Sequence, residues 1–507
     1  MTTPILHRAV ELACARPGTI LAWVLGIHLV VWTVIPILVC SNLQLDLVED
    51  LALGKEWQLG YWKHPPLPWW LADAAYRLTG RIESVYVLGP LAAVLCLYFV
   101  YRLGRDIAGP QLALVAVLAL EGLHFFNFSA VKFAHDQMQL PFWALTGWFF
   151  YRALAGRRPL DWVAAGIFLA LAFWSKYAAV PLAVTLGCIL LFDRDARTAW
   201  RGSGPYLMAA AFLVVLSPNL WWLVEHDFLP LRYVNDRAVE AVHWYDYLLF
   251  PLRWTLSQLF FLLPTIALLA IFYFRRGAAT RSNTTSFAKR YIAGLGFGPF
   301  IITTLVAALA GRLPVAMWGY PLWMFTPLAV LVWYAPSFEA RRFNLFAAGF
   351  AAIFLVLPAA YLATELLQPM LSHRSKATDF PGRAVAEIIT RQWRDKFGTP
   401  LRYVGGIGAG RGPGEFAANN VAVYSPDRPH VVVHGDPRLS PWIDPADLAR
   451  RGAVFVWEEG GPATRVPADI EEAFPHAVLQ PALVLPQLSR FSRTAAVISY
   501  AILPPQP

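Results

Sequence analysis

The feature that most constrains this chain is a succession of apolar runs, separated by short polar loops, that fills its first two thirds. The runs lie at about residues 19–40, 85–104, 110–130, 138–155, 160–175, 177–193, 205–224, 248–274, 291–310, 316–334 and 343–364. Each is long enough, or nearly so, for a helix to cross the hydrocarbon core of a bilayer, which takes about 20 residues. Backbone polar groups in lipid must be satisfied within the segment itself, so helices are the expected form. The reading is a polytopic α-helical membrane protein with about eleven transmembrane helices. Composition agrees, since 57% hydrophobic against 15% charged residues is too apolar for a water-soluble chain of 507 residues.

Charge orients the spans. Arg8 and Arg16, Arg102 and Arg105, Arg152, Arg157 and Arg158, Arg194, Arg197 and Arg201, then Arg275, Arg276, Arg281, Lys289 and Arg290, and finally Arg341 and Arg342 fall in alternate loops. Cytoplasmic loops carry such an excess, so this side is the cytoplasm and the N-terminus lies there. An odd number of spans then puts the C-terminus on the outer side. No small-residue cleavage site follows Arg8 and Arg16, so the first run reads as a retained helix. The net charge of +9 belongs to these loops, and nucleic acid is excluded because no basic cluster with interleaved aromatics occurs in a soluble segment. Cys14, Cys40, Cys96 and Cys188 lie in or beside apolar runs, which indicates neither a disulfide framework nor a cysteine metal site.

The outer loops are poorer in Lys and Arg and richer in acids, His and aromatics. The densest is Asp46 to Trp70, just after the first run. Asp46, Glu49 and Asp50 stand at helical spacing, so a helix starting near Asp46 gathers carboxylates on neighbouring faces before Gly60 ends it. Lys63-His64-Pro65-Pro66 then makes a rigid turn, with Pro65 holding His64 extended. Trp57, Tyr61, Trp62, Trp69 and Trp70 suit the membrane-water boundary, either as anchors only or as the wall of a site for a lipid-borne substrate.

Gly60-Tyr61 and His64-Pro65-Pro66-Leu67, after a first membrane helix and an acidic residue at Asp46, resemble the C-type membrane glycosyltransferases. That family includes the lipid A aminoarabinose and galacturonosyl transferases and the protein mannosyltransferases. The resemblance covers most of residues 20 to 335 and puts Asp46 where the family has its acidic catalytic residue. Leu47 departs from the pattern by replacing the second acid of the usual pair, a role that passes to Glu49 or Asp50.

Three further loop clusters follow. Asp136 in His135-Asp136 stands before Pro141-Phe142-Trp143, either as an N-cap or as a functional acid; the resemblance implies that it orients the acceptor or helps to hold a cation. Ser175-Lys176-Tyr177 interrupts an apolar stretch, where a lysine must snorkel to the interface or meet an anion. The resemblance implies a contact from Lys176 to the donor phosphate. Pro218-Asn219-Leu220-Trp221-Trp222 leads to His226 and then to Arg232 and Arg237; Trp222 and His226 follow the family pattern as substrate-binding residues, and Arg232 or Arg237 is either a further phosphate contact or an ordinary surface arginine. Arg312 and Trp318 flank a short outer turn in a similar way, Trp318 toward the donor lipid.

From about residue 370 Gly, Pro and charge increase and no further span follows. Strand-like runs at Leu401 to Val404, Val431 to His434, Ala453 to Trp457 and Ala495 to Leu503 alternate with helical patterns at Ala384 to Lys396, Asp444 to Arg451 and Asp469 to Phe474. A small C-terminal soluble α/β domain is expected, so residues 1–365 form the multi-span domain with outer-face catalytic loops and residues 366–507 a periplasmic α/β domain. The glycine-rich stretch Gly405 to Gly414 fits neither a phosphate loop nor a dinucleotide fingerprint and reads as a loop.

The implied reaction is inverting transfer of a hexosyl or pentosyl group from a polyprenyl-phosphate-linked donor to a lipid or glycan acceptor. Such a reaction needs a carboxylate to take the acceptor proton, assigned to Asp46 with Glu49 and Asp136 beside it, and cations for the leaving phosphate, assigned to Lys63, His64, Lys176 and Arg232. Tyr61, His135, Trp222, His226 and Trp318 are assigned to substrate binding. No metal ligands are assigned; acid pairs are compatible with Mg²⁺ or Mn²⁺, but the sequence does not require either. A lipid or sugar transporter is the competing class; its marks, inverted repeats and ionisable residues at mid-membrane depth, are not seen, and a non-catalytic relative is the third reading. Zinc-protease and serine-hydrolase motifs are missing.

Overall fold

The computed structural model describes residues 15–273, 284–334, 336, 339–371, 376–407, 414–458, 461–489 and 494–506. Arg8, Cys14, Arg275, Arg276, Arg281 and most of the glycine-rich stretch lie outside them. The protein is a multi-pass helical membrane protein with a small sheet region near its C-terminus. Among the described residues six helices are long and apolar enough to cross a bilayer: Pro17–Val39, Ile82–Ala108, Gly204–Glu225, Asp246–Ala270, Ser286–Ala310 and Ala340–Leu371. A seventh span results if Ala316–Trp323 and Thr326–Tyr334, bent by 45°, are taken together, and three shorter apolar helices cover Pro110–Leu120, Pro159–Ser175 and Tyr177–Phe192.

The chain divides into two compact units. One comprises residues 1–35, 63–65 and 86–361; the other comprises 36–62, 66–85 and 362–507.

In the first unit, helix His135–Gly156 packs on Leu88–Ala108 and on Pro159–Ser175, which packs in turn on Gly204–Glu225. Small residues set these approaches. A methyl group on Gly166 would lie 2.3 Å from the carbonyl oxygen of Met208, so only glycine lets those helices close. Large side chains such as Trp143, Phe125 and Trp254 fill the core. Two short strands, β1 (Val239–Glu240) and β2 (Arg312–Leu313), pair antiparallel, and the Arg312 guanidinium reaches Glu240 at 3.2 Å.

The second unit is an α/β structure. Strands β3 (Tyr403–Gly405), β4 (His430–Val432), β5 (Ala453–Glu458), β6 (Val478–Leu479), β7 (Leu483–Pro486) and β8 (Ala495–Leu503) make one sheet in the order β4-β3-β5-β8-β6, with β7 also on β8. β3 is parallel to β4 and β5, whereas β8 is antiparallel to β5, β6 and β7. Helix Gly382–Phe397 is amphipathic and buries Val385, Ala386, Ile389 and Trp393, as its spacing predicts. Helix Gly414–Tyr424 is an addition to the sequence reading. Its apolar stretch is short, and no turn signal beyond the glycine-rich run announces it.

The segment after the first span is woven into this second unit. The Asn42 side chain donates to the Ala377 carbonyl and to Asn420 Oδ1, each at 3.0 Å, and Leu43 N donates to the Tyr424 hydroxyl at 3.2 Å. Helix Leu45–Gly54 packs against helix Leu67–Thr79. The sequence reading carried the first of these on to Gly60; it stops at Gly54 because the chain turns back through Trp57, whose φ of 48° lies in the left-handed region. A Cβ on Gly54 would meet the Trp69 carbonyl oxygen at 2.1 Å. Gly54→Ala is therefore expected to lower the thermal midpoint in detergent, at a cost of about 1–3 kcal/mol. Gly26→Ala, where a Cβ meets nothing within 4 Å, should leave it unchanged or slightly raised.

Candidate functional site

In the first unit, side chains from separate helices and turns converge around His64. Its ring centroid lies 4.3 Å from that of His135, and Tyr233 meets it edge-on at 5.5 Å. Pro65 and Pro66 fix the backbone beyond it, so the imidazole is held without help from regular structure. Burial first, then His135, Lys176, Lys63 and Arg237, hold His64 well below the ordinary histidine range, which keeps it neutral at pH 7. A neutral imidazole among three fixed cations can donate one hydrogen bond to an anion without adding charge.

Asp136 lies in the first turn of helix His135–Gly156, but the N-cap is Ala134, whose N–H is satisfied by Gln137 Oε1 at 3.1 Å. The N-cap reading is thus replaced. Asp136 Oδ1 instead accepts from Lys176 Nζ at 2.6 Å, with both side chains buried. Lys176 follows helix Pro159–Ser175 in extended conformation, φ −162°, which turns its side chain out of the helical path. The neighbouring Tyr177 hydroxyl donates to Asn219 Oδ1 at 3.1 Å, tying this turn to helix Gly204–Glu225. Three residues on, Trp222 stacks on His226 at 4.2 Å, and the His226 Nδ1 lies 2.9 Å from the Trp222 carbonyl oxygen. The buried Trp222 indole N–H has no acceptor among the described residues.

Arg232 and Arg237 share helix Leu229–Arg237 but not a face. Tyr233 and Arg237, four residues apart, lie on the side toward His64, while Arg232 is exposed to solvent. Arg237, not Arg232, is the arginine of this cluster. Tyr233 was missed in the sequence, although its spacing from Arg237 was the available signal. Trp318 sits in the short helix Ala316–Trp323, packed at the edge of the apolar core.

Asp46, Glu49 and Tyr61 belong to the second unit. Asp46 and Glu49 are half-buried on helix Leu45–Gly54, and the position of the missing second acid, Leu47, is wholly buried in the core. Tyr61 is also fully buried: its hydroxyl donates to the Leu53 carbonyl at 3.1 Å and its ring meets Trp69 edge-on at 4.2 Å. Its hydroxyl also accepts from Gln58 N at 3.3 Å, so Tyr61 serves the packing of this unit. Two charged residues absent from the sequence reading clamp the same region. The Lys55 amine donates to the Arg428 and Pro429 carbonyls, and burial lowers its pKa to about 8; the neighbouring Glu56 meets His430 Nδ1 at 2.9 Å. Among the described residues no group of three or more His, Cys, Asp or Glu side chains is placed to hold a metal ion.

Residues 63–222 match the family model described as dolichyl-phosphate-mannose-protein mannosyltransferase. Two crystal structures of ArnT from Cupriavidus metallidurans, one bound to undecaprenyl phosphate and one in the apo state, share the fold with TM-scores of 0.61 and 0.62. Each is 14% identical, covering 96% of this chain and 98% of the other. The chain has the C-type membrane glycosyltransferase fold. Within sequence range, the lipid A galacturonosyltransferase RgtD of Rhizobium johnstonii is 30% identical over 189 residues, 37% of this chain and 38% of that protein. The chain thus spans well under half the length of the curated relative it matches. In this C-type fold, the segment matched by the family model contains Lys63, His64, His135, Asp136, Lys176 and Trp222.

Two outcomes follow from the geometry. Asp136→Asn leaves Lys176 buried beside a neutral amide, which should destabilise the protein by about 3–5 kcal/mol, while Asp136→Asn with Lys176→Met should recover most of that loss in thermal unfolding. Because native His64 resists the proton that an unfolded histidine accepts below about pH 6.5, native stability is complete above that pH and declines as pH falls toward the lower native value. Thermal midpoints between pH 7.5 and 5 should fall less steeply for His64→Gln than for the parent protein.

Proposed function

We propose that the protein transfers a sugar from a polyprenyl-phosphate donor to a lipid or glycan acceptor, with inversion at the anomeric carbon. The observation that carries this reading is the convergence of Lys63, Lys176 and Arg237 around the neutral imidazole of His64, with Lys176 held by Asp136 at 2.6 Å. Such a group suits a phosphate whose charge grows as the sugar departs, because the donors are fixed before the reaction. One of the ArnT structures carries undecaprenyl phosphate, and RgtD acts by name on lipid A, so a lipid phosphate donor and an envelope glycolipid acceptor are the favoured substrates.

In this reading the acceptor hydroxyl attacks the anomeric carbon, the bond from that carbon to the phosphate oxygen breaks, and the phosphate leaves as an anion. Asp46 takes the hydroxyl proton as general base, and Glu49 supports the acceptor. Lys63, Lys176 and Arg237 hold the leaving phosphate, neutral His64 donates a hydrogen bond to it, and Asp136 keeps Lys176 aimed. Trp222 and His226 present a flat surface for the donor, with His135 packed behind His64.

The membrane reading belongs here as well. The six long helices, the bent pair, the three shorter apolar helices and His135–Gly156 correspond one for one to the eleven runs seen in the sequence. We read all eleven as spans, with a cytoplasmic N-terminus and the α/β structure after residue 365 on the periplasmic side of a bacterial inner membrane.

The test is transfer by purified protein from labelled polyprenyl-phosphate hexose or pentose to a lipid acceptor. Asp46→Asn should reduce labelled product by about 100-fold or more while insertion and expression stay normal. Near-parental transfer by that variant would remove Asp46 from the mechanism, and no product with any donor would remove the reading.

A further inference from the structure

A cavity of about 400 Å³ lies wholly within the second unit and shares no residue with the His64 cluster. Three turns build it: the one after helix Leu67–Thr79, the start of helix Gly382–Phe397, and the one after helix Gly414–Tyr424. Arg81, Arg383 and Arg428 line it, against a single acid, Glu83. Its size falls within the range of small-ligand pockets, about 300–1,000 Å³.

Two of the guanidinium groups are positioned before any ligand arrives. Arg428 lies over the ring of Tyr76 at 4.2 Å, and Arg383 lies over the ring of Tyr424 at 4.9 Å with its Nη2 3.0 Å from Glu83. Stacking of this kind fixes the plane of the guanidinium. On Arg428, Nη2 is taken by the Leu51 carbonyl at 3.4 Å and lies 3.7 Å from the Asp73 carboxylate, which anchors the group from behind. Arg428 adds two observations. Its Nε is buried with no acceptor among the described residues, and its backbone φ of 44° lies in the left-handed region, a cost borne more often at ligand sites than elsewhere. The turn is kept in that form by the Lys55 amine, which holds the carbonyls of Arg428 and Pro429.

We propose that this cavity binds the phosphoryl group of a small phosphorylated ligand, with Arg383 and the Nε of Arg428 as its donors and Arg81 at the rim. The chemistry is a planar fork meeting a tetrahedral dianion. A lipid head group and a soluble sugar phosphate offer the same group, and the cavity has room for more than inorganic phosphate alone. The proposal does not depend on the transfer reaction.

The experiment uses the full chain in phosphatidylcholine nanodiscs, with glucose 1-phosphate titrated by calorimetry. Arg383→Gln and Arg81→Gln, both at exposed side chains, should each weaken binding by about tenfold or more without moving the thermal midpoint. Lys63→Ala should leave this binding unchanged. Competition by phosphatidic acid added to the nanodisc would assign the site to a lipid head group, and its absence to a soluble sugar phosphate. Parental affinity in both arginine variants, or binding lost with Lys63→Ala and kept with Arg383→Gln, would overturn the assignment.

Discussion

A lysine ammonium buried in an apolar bundle must meet a carboxylate or give up its charge, and the rest of the first unit is built around the solution this chain adopts. Asp136, in the first turn of helix His135–Gly156, and Lys176, in the extended turn after helix Pro159–Ser175, are 40 residues apart and meet at 2.6 Å. The pair is costly to bury, so it argues for function more than for stability. It also dictates neighbouring choices. Burial and the cations of Lys176, Lys63 and Arg237 keep His64 uncharged, since a charged imidazole there would add repulsion to a site already rich in positive charge. The short interruption at Ser175-Lys176-Tyr177 has a matching local role: extended backbone at Lys176 aims the amine, and Tyr177 locks the turn onto Asn219.

What could be read from the sequence divides along a physical line. Spans such as Gly204–Glu225 and Ser286–Ala310 announce themselves because lipid demands long apolar runs, and β8 appears as Ala495–Leu503 because nine apolar or small residues stand together in the polar tail. Cation positions were legible too, since Lys63 and Lys176 are conspicuous in such surroundings. Partners were not. That Asp136 serves Lys176 and not its own helix terminus depends on a contact across two helices, and an acid before a helix looks the same in either role. Arg237 and Arg232 differ only by which face of a short helix points inward. Tyr61, an aromatic in an interfacial loop, gave no sign that its hydroxyl would be consumed by the Leu53 carbonyl.

The composition of the second unit carries a similar lesson. Residues 36–62 and 66–85 look like a loop between spans, yet they pack with the C-terminal sheet region. The cause is specific polar pairing at long sequence separation. Asn42 meets Asn420, and Gly382 permits it, because a Cβ there would lie 2.1 Å from Asn420 Oδ1 and 2.9 Å from Asn42 Oδ1. Periodicity cannot register such a requirement. A glycine at the first position of an amphipathic helix reads simply as a helix start.

Leu47 shows how a departure from a family pattern can be understood in place. On helix Leu45–Gly54 the positions 47, 48 and 51 face the core and are wholly buried, whereas Asp46 and Glu49, three residues apart, share the less buried side. A carboxylate at 47 would have to be buried among apolar neighbours, at a cost of several kcal/mol unless paired. The chain therefore spends that position on packing. Under the proposed reading, acidity is kept at 46 and recovered one helical turn later at 49, so the two carboxyl groups remain neighbours on one face although they are no longer neighbours in sequence. Asp50, four residues from Asp46 but buried, stands on the other flank and belongs to the support of the helix more than to its reactive side.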